Sequence, residues 1–501
     1  MVLSQGGDQG SDKRPRHSGR FSGDSSGDRD SFGGRGSHIQ YSDQQSYNAY
    51  PAPISAPPLQ SFQGRQFQQQ KAYGKASTMV KISCAPGMAN SALSKIIWEV
   101  FLGCNMAFGQ ELEYDVLVHV ARRLNLVEDY LNFAAVCKPW QLAATKENFN
   151  SDLPRVPWLM LAEEEGSDVN SCRKFFNLCN DLIFKTRIPK ANGKRCLESM
   201  GWLVTVDLGI DGEISLLHPF SGVQIELPHQ NTTEDCTRNK TRYIWNFIDK
   251  AVLSASPSKT SDYVLMVIEG ENKYLSFWRP GDLKWTRIRR ENYDPHSCDQ
   301  HCDVVYFNGK FYAVDMQGNV LVCNVTSAEA QKVAQLPSSM DIYQMGYHRR
   351  AEYYILESLG SLLVVVRHGS LGMPRFPFTP VFEREVYDDE EVRLIFHTNS
   401  FRVYEVDLAA GTLTETKQIG DRAIFLGANA SLSVQASQFP GVNPNCIYFT
   451  DDFYEQYSDY VEGGGLDMGI FNIADGTLKG QFKSLSRNRF TPPMWVTPTL
   501  C

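Results

Sequence analysis

The sequence has 501 residues, of which 42% are hydrophobic and 21% are charged, and its formal net charge is −8. This length and composition are enough for more than one folded domain, and the acidic balance gives no reason to expect a nucleic-acid partner. No apolar run reaches the ~20 residues that cross a bilayer, so no membrane association is expected. The first residues do not resemble a secretory signal, which predicts a nuclear or cytoplasmic protein whose 12 cysteines are reduced.

Residues 1–78 are rich in Gly, Ser, Gln and Arg and contain few aliphatic side chains. Such a segment buries too little apolar surface to offset the entropy of ordering, which predicts a disordered tail. Two short motifs in it, Lys13–Arg16 and Phe32–Gly36, are similar to a nuclear-import signal and to an RNA-binding arginine–glycine patch. Because acidic residues are interspersed, a solvated tail is the favoured interpretation. Residues 79–107 are more apolar and form either a linker or a helical extension of the next segment.

Residues 108–150 predict a small helical domain. Apolar residues recur every four positions along a first helix, at Leu112, Val116, Val120 and Leu124, with Leu117 widening the stripe. A second stripe consists of Phe133, Val136, Cys137 and Trp140. Pro139 suits the first turn of a further helix running into Gln141–Lys146. Helices this short hide too little surface to fold alone, so they must pack against the rest of this chain or against another protein.

The remaining residues, 153–501, alternate short β-rich runs with Gly, Asn, Asp and Pro clusters, as all-β folds require. Four segments share a strand, a turn with Asp or Gly and a second strand, the pattern of a β-hairpin. They begin at Gly201, Asn308, Ser400 and Gly469.

The spacing of these hairpins predicts a β-propeller. Asp207 and Asp315 are 108 residues apart, and Asp315 and Asp407 are 92 apart, with weaker copies between them. A repeat of about 50 residues suits a four-stranded blade of the kelch kind, and about six blades fit the available length, with five or seven as the alternatives. To close the ring, one blade must combine early and late strands, for which Asp181–Phe184 and Pro493–Val496 are the candidates. A pair of β-sandwiches with hairpins of similar length is the alternative.

The helical segment resembles an F-box. The similarity lies in Leu112–Leu117, Arg123-Leu124, Glu128-Asp129, Phe133, Val136-Cys137 and Trp140. Two positions depart from the usual pattern: Glu113 stands where F-boxes usually have Pro, and Gln141 where they usually have Arg. The resemblance implies docking on the Skp-type adaptor, and through it the cullin, of an SCF ubiquitin ligase. The residues expected to bind the adaptor are Leu112, Val116, Leu117, Val120, Leu124, Phe133, Val136, Cys137 and Trp140. Core helices that pack only against the β region are the alternative.

The β region resembles the plant KIB-type β-propeller family, which often follows an F-box. The similarity lies in Gly201–Val204, Leu217–Gly222, Leu227-Pro228, Trp278–Trp285, Phe307–Asp315, Asn445–Asp452 and Gly469–Ile473. The resulting expectation is a mainly β protein with a small α domain, in which a short F-box helical bundle precedes a KIB-type propeller. It implies a substrate receptor that holds an unknown client protein on the propeller.

Signals for catalysis or metal binding are weak. His296, Cys298, His301 and Cys302 lie close together, but no second pair of ligands completes a tetrahedral zinc site. The acidic runs Glu163–Glu165 and Asp388–Glu391 fit solvated turns better than catalytic sites. No phosphate-binding loop, His-Glu-x-x-His or Gly-x-Ser-x-Gly motif is present.

The sequence therefore predicts a non-enzymatic subunit with no catalytic residue, cofactor or metal. Two other functions stay open: a protein-binding propeller scaffold without a ubiquitin-ligase role, and a propeller hydrolase. Client specificity is expected in loop tips, whose composition names no partner. The candidates are Asn231–Lys240, Asp294–Gln300 and Pro374–Asp389.

Overall fold

The computed structural model describes residues 112–499, with gaps at 125–126, 135, 150–154, 165–171, 208–211, 235–247, 271, 292–299, 338–348, 373–394, 454–462 and 481–485. The predicted tail and the 79–107 segment lie outside the described residues.

Three short α-helices come first: α1 (Tyr114–Ala121), α2 (Val127–Ala134) and α3 (Lys138–Ala143). Pro139 lies in the first turn of α3, as expected, because a proline there removes no hydrogen bond from the helix. The 3₁₀ turns are Lys146–Asn148, Pro189–Ala191, Gln230–Thr232 and Ala436–Gln438. No helix in the described ranges is long and apolar enough to cross a membrane.

The strands form successive antiparallel meanders. The first comprises β1 (Trp158–Met160), β2 (Cys172–Asn177) and β3 (Leu182–Arg187). The second comprises β4 (Arg195–Ser199), β5 (Trp202–Val206), β6 (Ile214–Leu217) and β7 (Gln224–Leu227). The third comprises β8 (Ile248–Leu253), β9 (Leu265–Glu269), β10 (Tyr274–Trp278) and β11 (Thr286–Arg287), and β12 (Arg289–Arg290) follows it. We number these meanders blades 1 to 3.

Blades 4 to 6 complete the array. Blade 4 comprises β13 (His301–Phe307), β14 (Lys310–Asp315), β15 (Asn319–Asn324) and β16 (Glu329–Gln335). Blade 5 comprises β17 (Arg349–Ser358), β18 (Ser361–Gly372), β19 (Ile395–Asp407) and β20 (Thr412–Thr416). Blade 6 comprises β21 (Arg422–Leu426), β22 (Leu432–Gln435), β23 (Cys446–Phe449), β24 (Gly469–Asn472) and β25 (Leu478–Gly480). The last strand is β26 (Met494–Val496).

The ring closes through the last strand. β26 pairs antiparallel with β1, with Trp158 opposite Val496 and Met160 opposite Met494. Most of Asp181–Phe184, the early candidate for ring closure, lies in β3, and most of Pro493–Val496, the late candidate, lies in β26. Both strands belong to the same four-stranded sheet. The predicted closure is confirmed, and the β-sandwich alternative is wrong.

The cores lie between neighbouring blades. Alternate side chains of β9 face opposite sides: Leu265 and Val267 pack with blade 2, whereas Met266 and Ile268 pack with blade 4. Because both faces of the strand are covered, it reads as an uninterrupted apolar run. Trp202, with 1% of its surface exposed, lies in the cluster between blades 2 and 3, as do Trp278 and Trp285.

The number of sheets differs from the expected number of blades. The described strands form five hydrogen-bonded sheets, because a parallel pair between Gln335 of β16 and Thr412 of β20 joins blades 4 and 5 into one. Blade 6 also has an unexpected order. β22 lies innermost although it follows β21 in the chain, and β21 runs parallel to β23.

The two faces of the disc are set by the inner strands. The Leu253 amide donates to Ser199 Oγ (3.0 Å), and the Thr497 amide donates to Glu198 Oε1 (3.2 Å). These contacts join the ends of β8, β4 and β26, so these strands run in the same direction. We call the face where the inner strands end the proximal face and the opposite one the distal face. β1 is antiparallel to β26 and therefore begins at the proximal face, so the helices join the propeller there.

Candidate functional site: the helical surface and the propeller channel

An aromatic core holds the three helices together. The Phe133 and Trp140 ring centroids are 4.6 Å apart, and those of Tyr130 and Phe149 are 4.7 Å apart. Phe149 continues this core toward Val156, just before β1, so helices and blade 1 share one continuous apolar cluster. The helices therefore have apolar neighbours within this chain as well as among themselves.

Two polar contacts fix the 3₁₀ turn after α3 against the helices. Arg122 Nε donates to Asn148 Oδ1 (3.1 Å), and Asn148 Nδ2 donates to the Ala143 carbonyl (2.9 Å). The Tyr130 hydroxyl donates to the Thr145 carbonyl. Burial raises the pKa of Tyr130, with nearby Glu147 adding to the effect, so this phenol remains a donor at neutral pH.

The nine residues expected to bind an adaptor divide into two groups. Five have between 0% and 6% of their surface exposed and form the helical core; they are Leu117, Val120, Leu124, Phe133 and Trp140. Four are partly buried against that core; they are Leu112, Val116, Val136 and Cys137. The first group is buried and can affect a docking surface only by supporting the residues that cover it. The second group is partly exposed and can contact a partner directly.

The sequence pattern missed the most exposed apolar side chains of the helices. Tyr114 in α1 is 52% exposed and Leu142 in α3 is 60% exposed. Glu113 and Gln141, the two departures from the usual F-box pattern, are exposed beside them in the sequence. An apolar stripe identifies the buried side of a helix, whereas apolar residues outside the stripe identify the exposed surface that a partner can contact.

In the propeller channel, buried charges are paired. Lys250 Nζ lies 3.2 Å from Asp303 Oδ1 and donates to the Gly427 carbonyl (2.8 Å). Asp303 also accepts hydrogen bonds from the Ser431 hydroxyl (2.6 Å) and the Ile355 amide (3.1 Å). Burial raises the pKa of Asp303, although Lys250 opposes the shift. Gly427 and Ser431 belong to the loop between β21 and β22, so this loop occupies the channel and saturates its charges.

A second buried cluster joins blades 5 and 6. Arg367 of β18 is 1% exposed; its Nη1 lies 2.9 Å from Asp452 Oδ1 and its Nη2 lies 2.8 Å from Asp467 Oδ2. Its Nε donates to Thr398 Oγ1 (2.7 Å), and Nη1 also donates to the Tyr354 hydroxyl (3.1 Å). One guanidinium pairs with both carboxylates, which is the pattern of a structural clamp.

Buried acids next to these networks have raised pKa values. Burial raises the pKa of Asp451 to about 6, with the Asp467 charge adding to the effect and amide donors such as that of Gly465 opposing it. Burial also raises the pKa of Glu198 to about 7, opposed by the amides of Gly201 and Thr497. Glu198 holds the Thr497 amide at the junction of blades 1 and 2, and Asp451 holds the amides of Gly465 and Leu466 within blade 6, so both buried acids have a structural role.

The metal and acid–base candidates contribute no assembled site among the described residues. His296 and Cys298 lie outside them, and the described part of the chain contains no group of His, Cys, Asp and Glu arranged to hold a metal ion. Glu163 accepts from the Gly193 amide (2.9 Å) and lies 3.6 Å from Arg173, so it caps a loop. Asp388–Glu391 lies outside the described residues.

The comparisons with known proteins agree with this architecture. The sequence matches the KIB1-4 beta-propeller family over residues 175–472, more than half of the chain. The chain belongs to this family. The matched range runs from β2 of blade 1 to the end of β24 in blade 6, so the KIB1-4 signature covers nearly the whole propeller.

Relatives of the KIB1-4 chain include proteins named for an F-box. F-box protein SKIP23 of Arabidopsis thaliana is 24% identical over 414 residues, covering 77% of this chain and 95% of that protein. F-box protein At2g26160 of the same plant is 23% identical over 362 residues, covering 68% and 95%. The allergen Mala s 1 of Malassezia sympodialis is 8% identical in sequence; the match covers 66% of this chain and 87% of the allergen, with a TM-score of 0.30.

Proposed function

We propose that this KIB1-4 propeller protein is the substrate-recognition subunit of an SCF-type, cullin-based ubiquitin ligase. Its helices dock a Skp-type adaptor, and its propeller binds a client protein in the nucleus or cytoplasm. By holding the client, the chain raises the effective concentration of client lysines near a ubiquitin-charged enzyme elsewhere in the complex. No covalent step takes place on this chain.

The observation that carries the proposal is the apolar surface that the helices leave uncovered. Tyr114 and Leu142 expose more than half of their surface, and Leu112, Val116 and Val136 lie partly exposed near the same core. A contiguous patch of exposed apolar side chains marks a protein-binding surface, whereas scattered ones are ordinary, and we infer that these five side chains form one patch. The F-box names of relatives that this chain covers almost completely support the same partner.

The saturated channel disfavours the hydrolase alternative. A propeller enzyme needs an acid or base that can reach a substrate, whereas Asp303 is fully buried and bound by Lys250, Ser431 and Ile355. The pocket left beside Lys250, Glu352 and Gly427 has a volume of about 50 Å³, well below the roughly 300–1,000 Å³ of a ligand site. The scaffold alternative and the ligase role differ in one measurable property: only the ligase role requires this chain to bind the adaptor.

The experiment is co-purification with a plant Skp-type adaptor. We expect the full chain to retain the adaptor, and we expect Tyr114→Glu with Leu142→Glu to weaken binding at least tenfold, because both charges enter the docking surface. Leu283→Glu is the matched control, since Leu283 is 91% exposed but lies in the propeller. Failure of the unsubstituted chain to bind, or equal binding by the helical variant, would falsify the ligase role; capture of a client without adaptor would favour the scaffold.

A further inference from the structure

A cleft of about 590 Å³ opens between blades 3 and 4. Its walls come from the β8–β9 connection, the β13–β14 turn and the β15–β16 turn. Because neighbouring strands of a blade run antiparallel, all three connections lie at the proximal face, where the helices join. The volume lies in the range of ligand and peptide sites. Gly309, Lys310 and Phe311 of the lining belong to the Phe307–Asp315 motif, but neither the helical surface nor the channel networks include the cleft.

The path of the chain explains why the cleft exists. The outer strand of blade 3, β11, has only two residues, Thr286 and Arg287. The chain then crosses to blade 4, where Arg289 and Arg290 of β12 pair in parallel with Glu329 and Ala330 of β16. Blade 3 thus lacks a full fourth strand, and the core between the two blades opens to solvent at its edge.

The cleft has an apolar floor. Val264, Tyr306, Val322 and Val325 line it and are partly buried, and three of them pack on the core between blades 3 and 4. Val264 lies in the β8–β9 connection and Val325 in the β15–β16 turn, whereas Tyr306 and Val322 lie in β13 and β15, so the floor spans both blades. An inserted apolar side chain would extend the core that the short β11 leaves open.

The rim of the cleft is acidic. Asp262, Glu291 and Glu329 are exposed, and none of them has an ion-pair partner within the described ranges. Lys310 is the one basic side chain among the described lining residues. Three carboxylates against one ammonium favour a cationic partner and disfavour phosphate or carboxylate groups.

We propose that this cleft binds an extended client segment in which an apolar side chain is flanked by Lys or Arg. The apolar side chain packs on the floor, and the basic side chains reach the rim carboxylates. A phosphorylated residue next to the apolar anchor opposes binding, because its charge meets the same carboxylates. That the bound segment belongs to a client rests on the ligase role proposed above, but the peptide preference of the cleft can be measured without an adaptor.

The test uses the full chain and a displayed library of random ten-residue peptides. We expect enrichment of sequences with a Leu, Ile, Val or Phe flanked by Lys or Arg, and weaker binding at high salt. Glu291→Lys with Glu329→Lys should weaken a selected peptide at least tenfold. Glu226→Lys with Glu405→Lys is the matched control, because both residues are exposed and lie outside the cleft.

The outcomes separate this proposal from the ligase role. No enrichment, enrichment of acidic peptides, or equal binding by the cleft variant and the control variant would overturn it. Self-association of the chain that the cleft variant abolishes would also overturn it, because the cleft would then be occupied by a second copy. If the chain binds the selected peptide but not the adaptor, the cleft is a peptide-binding site and only the ligase role is refuted.

Discussion

The Arg367 clamp gives the sharpest stability prediction. In Arg367→Met the methionine fills similar space, but Asp452 and Asp467 lose the guanidinium that lies within 2.9 Å and 2.8 Å of them. Both carboxylates are only 16% exposed, so water replaces the lost partner poorly. We expect the variant to unfold at a lower temperature than the unsubstituted chain.

The size of the effect follows from the burial. Removing one partner of a buried ion pair costs about 3–5 kcal/mol, because the remaining charge is uncompensated. With an unfolding entropy of about 2 cal/mol/K per residue over a propeller of roughly 340 residues, the melting temperature should fall by about 4–7 °C.

The assay is differential scanning calorimetry of the full chain at neutral pH. Arg402→Met is the matched control, because Arg402 also pairs with a carboxylate, Glu415 (2.7 Å), but its side chain is 44% exposed. An exposed pair contributes at most about 1 kcal/mol, so the control should shift by less than about 1.5 °C. Equal shifts in the two variants would refute the clamp as a source of stability.

Two further predictions concern the blade junctions. Because the pKa of Glu198 is raised from 4.5 to about 7 in the folded chain, its protonation stabilises the fold fully below pH 4.5, and this stability is lost as the pH rises through 7. Glu198→Gln should therefore have a higher urea midpoint than the unsubstituted chain at pH 8 and a similar one near pH 4.5; parallel pH profiles would contradict this. Gly441→Ala places a Cβ 2.3 Å from the Leu178 carbonyl oxygen at a φ of +81°, whereas Gly222→Ala at +72° meets nothing within 4 Å. We expect Gly441→Ala to melt lower than Gly222→Ala, and the reverse order would show that this approach between blades 6 and 1 is not tight.

Much of the propeller could be predicted from the sequence because its determinants are local. Strand alternation and the Asp or Gly turns at Gly201, Asn308 and Gly469 indicate hairpins, and Pro493–Val496 has the character of a closing strand. The order of blade 6 could not be predicted, because β21 and β22 have the pattern of an ordinary hairpin, and only packing in the ring places β22 innermost.

The candidate site was predicted less well, for two physical reasons. A four-residue period identifies the apolar side of a helix, but it does not show that apolar residues outside the stripe, such as Leu142, are left exposed. The paired charges depend on contacts between distant blades. A signal for them does exist: Lys250, Asp303 and Arg367 are charged residues in mainly apolar strands, where a buried charge requires a partner.

Closure of the ring by β26 has a consequence during protein synthesis. More than 330 residues separate β1 from its neighbour β26, so blade 1 lacks its inner strand until the ribosome has passed Val496. At about 5–20 residues per second, the helices emerge roughly twenty to seventy seconds before that strand is made. An adaptor present during translation could thus meet a nascent chain whose disc is still an open arc.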